Sequence, residues 1–212
     1  TNIKAHPAPL PVLGEVQPRP SVLDAPSVWS VGMETMDRDY AIFDNFSEYI
    51  NQTGVGYGRL QSGWAKTEQK KGKYDYSWLD AHVDGMIAKG IRPWMCLCYG
   101  NPVYSKHGHD LNAKLFTDGP IMDAWLCYVK TTVKRYKGKV SMWEIWNEPD
   151  LDPDEATYRR TWGGTKAEFF RLYEIASKHL KACFPHLKIG GYASCGFYAI
   201  SGRWIPEAKI SP

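Results

Sequence analysis

The sequence predicts an α/β fold, a (β/α)8 TIM barrel of which this chain supplies about the first four to five βα units. Three observations carry that prediction. From Val28 onward, short β-rich runs alternate with longer amphipathic runs, as repeated βα units on a parallel sheet require. Polar and aromatic residues gather just after each short run, at the strand ends where a barrel keeps its chemistry. No GxGxxG follows the first run and no GxxxxGK(S/T) occurs anywhere, which disfavours an open, doubly wound nucleotide-binding sheet.

Residues 1–27 carry six prolines and no hydrophobic period, so they read as an extended arm or linker. Residues 28–212 then form the barrel half. The first strand is expected over Val28 to Met33, followed by a polar loop and a helix over Ala41 to Thr53 that Gly54, free to take positive φ, brings to an end. A second strand over Gly56 to Gln61 leads through Ser62, Gly63 and Trp64 into a loop, and its helix runs from Ser77 to Lys89, closed by Gly90. The third unit comprises a strand over Ile91 to Cys98, a loop to Pro120 and a helix over Ile121 to Tyr136. The fourth has a strand over Val140 to Trp146, a loop to Gly164 and a helix over Lys166 to Phe184; a fifth strand over Leu187 to Tyr192 opens another unit.

Composition narrows the function classes. With 43% hydrophobic and 23% charged residues among 212, the chain can bury an ordinary core. Its formal charge of +3 is dispersed, giving no footprint for nucleic acid. No apolar run approaches the roughly 18 residues a membrane span needs, and no secretory leader stands at the start. A start at Thr1 rather than Met suggests upstream processing, and export to the periplasm or medium is the expectation. Cys96, Cys98, Cys127, Cys183 and Cys195 form neither an even framework nor a CxxC pair, so they read as structural thiols. Nine tryptophans and thirteen tyrosines supply aromatic faces of the kind that cover the apolar side of a sugar ring, although core filling accounts for several.

The most informative stretch is Trp143-Glu144-Ile145-Trp146-Asn147-Glu148-Pro149, at the end of the fourth strand. Strand alternation puts Glu144, Trp146 and Glu148 on one face, with Glu148 at the tip. A carboxyl at the mouth of a cleft, beside apolar neighbours that hold its proton, is what general acid catalysis on a glycosidic oxygen needs. Asn147 offers an amide to a sugar hydroxyl near the reacting carbon. Glu144 lies deeper, where a bare carboxylate would be costly, and Arg59 at the end of the second strand is its expected partner.

Trp64, Tyr99, Asn101 and Trp146 are candidate sugar contacts, with loop packing as the alternative for each. Glu34 and Asp37 follow the first strand and either bond hydroxyls in the innermost subsite or cap the next helix. His107, His109 and Asp110 form a HxHD cluster that reads as surface polar sequence sooner than as a metal site. The expectation is therefore no metal and no cofactor.

Four ordered loop motifs, Val31 to Asp39, Arg59 to Glu68, Tyr99 to Pro102 and Trp143 to Pro149, make the chain resemble clan A glycoside hydrolases, and among them family 39 and its bacterial relatives, over about residues 28–195. The resemblance implies a retaining O-glycosidase with Glu148 as acid/base, acting on a glycoside or oligo- or polysaccharide. It also implies a nucleophilic Glu on a seventh strand absent from this chain, so the missing C-terminal half of the barrel is an expected partner. Glu207 corresponds to no such nucleophile. A carbohydrate-binding protein without turnover is the alternative from another class, and a metal-dependent hydrolase using His107 and His109 a third.

Overall fold

A computed structural model describes residues 11, 13–15, 17–22, 27–115, 119–140, 142–153, 156–191 and 193–195. Five strands, β1 (Ser30–Gly32), β2 (Tyr57–Gln61), β3 (Arg92–Leu97), β4 (Met142–Ile145) and β5 (Lys188–Gly190), lie side by side in chain order. Every pairing is parallel, with Arg59 opposite both Gly32 and Trp94, Cys96 opposite Glu144, and Glu144 opposite Gly190. A doubly wound sheet would reverse its order at a switch point. This one never does, which is the topology of a partial (β/α) barrel.

Between the strands run α1 (Ser47–Ile50), α2 (Trp64–Thr67), α3 (Ser77–Ala88), α4 (Gly119–Tyr136) and α5 (Lys166–Cys183). The two long helices form where the sequence predicts them, and for legible reasons. In α4, Ile121, Trp125, Tyr128, Val129, Thr132, Val133 and Tyr136 recur at helical spacing and are all buried, giving one apolar stripe to dock. In α5 the start is fixed by a capping box in which Thr165 accepts from the Glu168 amide and Glu168 from the Thr165 amide. Buried Phe169, Leu172, Ala176 and Leu180 then face inward, and α4 packs on α5.

The first helix departs from expectation. In place of a helix over 41–53, the chain makes one 3-10 turn, Phe43–Asn45, and only the four-residue α1, and a further 3-10 turn, Met36–Arg38, stands in the preceding loop. Asp44, Asn45, Asn51 and Thr53 are weak helix formers whose side chains compete for backbone groups, as when Thr53 Oγ1 donates to the Ile50 carbonyl at 2.6 Å. Gly54 still takes φ 71°. The loop expected after β2 holds α2 instead. Strands are also shorter than predicted at their ends: β1 begins at Ser30, β4 at Met142, and β5 spans Lys188–Gly190.

Within the arm, Arg19 donates its amide to the Gln52 carbonyl at 2.8 Å and Ser21 to that of Asn51 at 2.9 Å, tying the described part of this segment to the turn before β2. Glu207, with Gly202 and Pro206, lies outside the described residues. No helix among the described residues is long and apolar enough to cross a membrane.

Candidate active site

Arg59, the middle residue of β2, organises the strand ends. Its Nε donates to Glu144 Oε2 at 2.7 Å, its Nη2 to Asn147 Oδ1 at 3.0 Å, and its Nη1 to Glu34 Oε1. One planar guanidinium thus fixes side chains from the ends of β1 and β4. The pairing expected for Glu144 is present, and both members are sheltered, with side-chain exposures of 11% for Arg59 and 9% for Glu144. Burial pushes the Glu144 carboxyl above the ordinary carboxylate range, and Arg59 offsets only part of that rise. For Arg59, burial opposes the charge, but the Glu144 and Glu34 carboxylates bonded to it outweigh burial and keep it protonated.

The turn carrying Glu148 is built on unusual backbone. Strand alternation stops at Ile145, because Trp146 takes φ 66° and Glu148 φ 45°. The prediction that Glu144, Trp146 and Glu148 share one strand face therefore fails beyond Glu144: two left-handed residues redirect the chain, at a cost of order 1–3 kcal/mol each. Surrounding bonds hold this conformation. Trp146 donates its amide to the Leu97 carbonyl at 3.0 Å and its indole Nε1 to the Thr161 carbonyl at 2.6 Å. The Glu148 amide donates to the Ala193 carbonyl at 2.9 Å, and the Glu148 carbonyl accepts from Thr161 Oγ1. The Glu148 side chain is half-buried, and among the described residues its carboxylate has no bonded partner. It is a carboxyl fixed at its root and open at its tip.

The other candidates divide. Asn147 is buried and turned toward Arg59. Trp146 is fully buried, edge-on to Tyr99 and Trp162 with ring centroids at 5.5 and 5.0 Å. Trp64 is 1% exposed, stacked between Tyr104 and Tyr128, so its faces are covered and packing is its role here. Asn101 is also 1% exposed and is spent on backbone: its Nδ2 donates to the Trp64 and Glu68 carbonyls at 3.2 and 2.8 Å. Tyr99 lies under the Arg38 guanidinium at 5.2 Å and accepts from Gln61 Nε2 at 3.2 Å. Asp37 sits in a 3-10 turn and makes no side-chain cap; its nearest cation is Arg38, at 3.8 Å. Burial pushes its carboxyl up.

Three supporting residues escaped the sequence reading. Gln61 accepts from Arg38 Nη2 at 2.9 Å while reaching Tyr99. Glu68, fully buried, accepts from Trp64 Nε1 and the Gly72 amide, both at 2.6 Å, and from the Tyr104 hydroxyl. Asp150, also fully buried, accepts from the Ser194 hydroxyl and from the Cys195 amide at 3.0 Å, joining the loop after β4 to the one after β5. A Glu four residues after Trp64 and an Asp directly after Pro149 were visible in sequence; nothing there marked them as buried.

His107 and His109 both turn to the Asp110 carboxylate, at 3.4 and 3.0 Å, and are exposed. Among the described residues no group of three or more His, Cys, Asp or Glu is placed to hold a metal ion. All five cysteines are free, and Cys96 Sγ donates to the Trp146 carbonyl at 3.0 Å.

With this geometry in hand, comparison with known proteins is informative. The family described as Glycosyl hydrolases family 39 matches residues 48–207. A β-xylosidase of Geobacillus stearothermophilus is 29% identical over 146 residues, 63% of this chain and 27% of that protein. A β-xylosidase of Caldicellulosiruptor saccharolyticus is 28% identical over 143 residues, 62% of this chain and 26% of that protein. The chain thus spans about a quarter of the length of these relatives. Among solved structures, the family 39 enzyme of Xanthomonas axonopodis pv. citri superposes with a TM-score of 0.57 at 24% identity, over 90% of this chain and 38% of that one. Xylanase 10B of Thermotoga maritima gives 0.58 at 14% identity, over 84% and 54%. These likenesses are of fold.

Proposed function

Because the chain belongs to glycosyl hydrolase family 39, we propose that the protein containing it hydrolyses O-glycosidic bonds with retention of configuration, using Glu148 as general acid/base. Xylosides are the substrates to try first, since two relatives carry the name β-xylosidase. The observation that carries the reading is the turn after β4: a half-buried carboxylate, unbonded among the described residues, on a backbone held by Ala193 and Thr161 beside the Arg59-bound Asn147.

In this mechanism Glu148 first protonates the leaving oxygen, while a second carboxylate attacks the anomeric carbon to give a glycosyl-enzyme. Glu148, now a base, takes a proton from the water that releases the sugar. The nucleophile must lie about 5–5.5 Å from Glu148, and we assign it to the seventh strand of the complete barrel. The Asn147 Nδ2 remains available to a sugar hydroxyl, because its Oδ1 is the atom that Arg59 engages. Glu34 and Glu144, both held by Arg59, set the position of that amide and not of a proton. No cofactor enters the scheme.

The test is Glu148→Gln in the full-length protein. Turnover of xylosides with poor leaving groups is expected to fall by about 10²–10⁴, the usual worth of general acid catalysis. Activated aryl xylosides, whose leaving groups need no proton, should still give a burst of phenolate as the glycosyl-enzyme accumulates. An unchanged rate on unactivated xylosides removes Glu148 from the mechanism. Saturable binding of sugars by the parent protein without any turnover favours a carbohydrate-binding barrel instead.

A further inference from the structure

A cleft of about 720 Å³ opens between the loop after β3 and the loop after β4, and none of the residues of the Arg59 cluster lines it. It lies in the size range of ligand sites and exceeds what one sugar ring fills. Its walls are held together: Asn112 Nδ2 donates to the Arg159 carbonyl, and the chain at Gly163 passes so near Asn112 that a Cβ there would meet its carbonyl oxygen at 2.1 Å. Only glycine permits that approach. The wall formed by residues 156–165 is also the segment that fixes the catalytic turn, since Thr161 bonds both the Glu148 carbonyl and the Trp146 indole. At the rim Tyr158 is 71% exposed, an aromatic ring presented to solvent beside a polar floor.

Among the described residues lining the cleft the charges balance, Lys114 and Arg159 against Asp110 and Glu168, which favours an uncharged polar ligand over an ionic one. An aromatic face above a floor of mixed hydrogen-bonding groups fits a neutral saccharide. We propose that this cleft is a second carbohydrate site that binds a neutral oligosaccharide at a distance from the bond being cut, with Tyr158 stacking on one ring. The assignment of the ligand as a glycan rests on the glycosidase reading above. It makes the preferred substrate an oligosaccharide and not a small glycoside.

The experiment compares Tyr158→Ala and Tyr158→Phe with the parent in the full-length protein. The readouts are the ratio of kcat/KM on xylo-oligosaccharides of increasing length to kcat/KM on an aryl xyloside, and calorimetric binding of the same oligosaccharides. Loss of one stacked ring should lower the ratio and the oligosaccharide affinity about tenfold in the alanine variant, and the phenylalanine variant should restore both. A ratio and an affinity unchanged by Tyr158→Ala overturn the second site while leaving the glycosidase reading intact. Oligosaccharide binding that depends on Tyr158 in a protein that cuts nothing sustains the site and overturns the glycosidase reading. Because Tyr158 is exposed, its replacement should not disturb folding, and an unchanged melting temperature checks this.

Discussion

Replacing Arg59 by methionine keeps an unbranched apolar stem and removes the charge, leaving Glu144 with 9% of its side chain exposed and without its Arg59 partner. Breaking a sheltered pair from one side costs about 3–5 kcal/mol, mostly the penalty of the stranded charge. The bond to Asn147 is lost as well, whereas the pair with Glu34, which is 37% exposed, adds little. Against a typical domain stability of about 5–15 kcal/mol, this is a large fraction, and urea denaturation of the full-length protein should resolve it. Two controls isolate the cause. Arg59→Met with Glu144→Met removes both charges and should recover most of the loss. The single variant should also regain stability on acidification: a Glu144 carboxyl raised above its unfolded value destabilises fully above the folded pKa, and the penalty vanishes as pH falls below the ordinary carboxylate range. A loss below about 1 kcal/mol for Arg59→Met, or a double variant no better than the single, would refute the view that charge pairing holds these strand ends.

Two further outcomes follow from buried polar groups elsewhere. His82 lies between Phe43 and Trp78, at 5.3 and 5.6 Å, with its Nδ1 unbonded among the described residues; burial first, and then Lys66, lower its pKa while Asp44 and Asp39 oppose them. Its unfolded state takes the proton first, so its contribution to stability declines as pH falls below about 6.5, and His82→Phe should flatten that part of the melting-temperature profile. Glu68→Gln puts an amide where three donors converge on a carboxylate. It should cost about 1–3 kcal/mol in chemical denaturation, and a neutral result would mean that these donors find other acceptors.

What the sequence disclosed follows a physical line. Hydrophobic period is local, so α4, α5 and the cores of β2 and β3 fall within a few residues of the spans predicted for them. The Arg59 to Glu144 pairing was also legible, because burial of a carboxylate demands a cation and Arg59 was expected at another strand end of the same sheet. Conformations imposed by tertiary bonds were not. Nothing local distinguishes Trp146 at φ 66° from an alternating strand residue; the Thr161 carbonyl that captures its indole comes from a distant part of the loop. Trp64 read equally as sugar platform or packing until Glu68, Tyr104 and Tyr128 were seen around it.

Strand order that repeats chain order has a kinetic meaning. Ser30 must find Tyr57, Trp94 must find Met142, and Met142 must find Lys188, so every pairing closes a loop of a few tens of residues, and loop-closure entropy grows only slowly over that range. Each strand leaving the ribosome meets a partner that was synthesised before it. The sheet can therefore grow by accretion from its amino-terminal edge, and the slow search that long-range parallel pairing usually imposes is deferred to the one event that joins the first strand to the last.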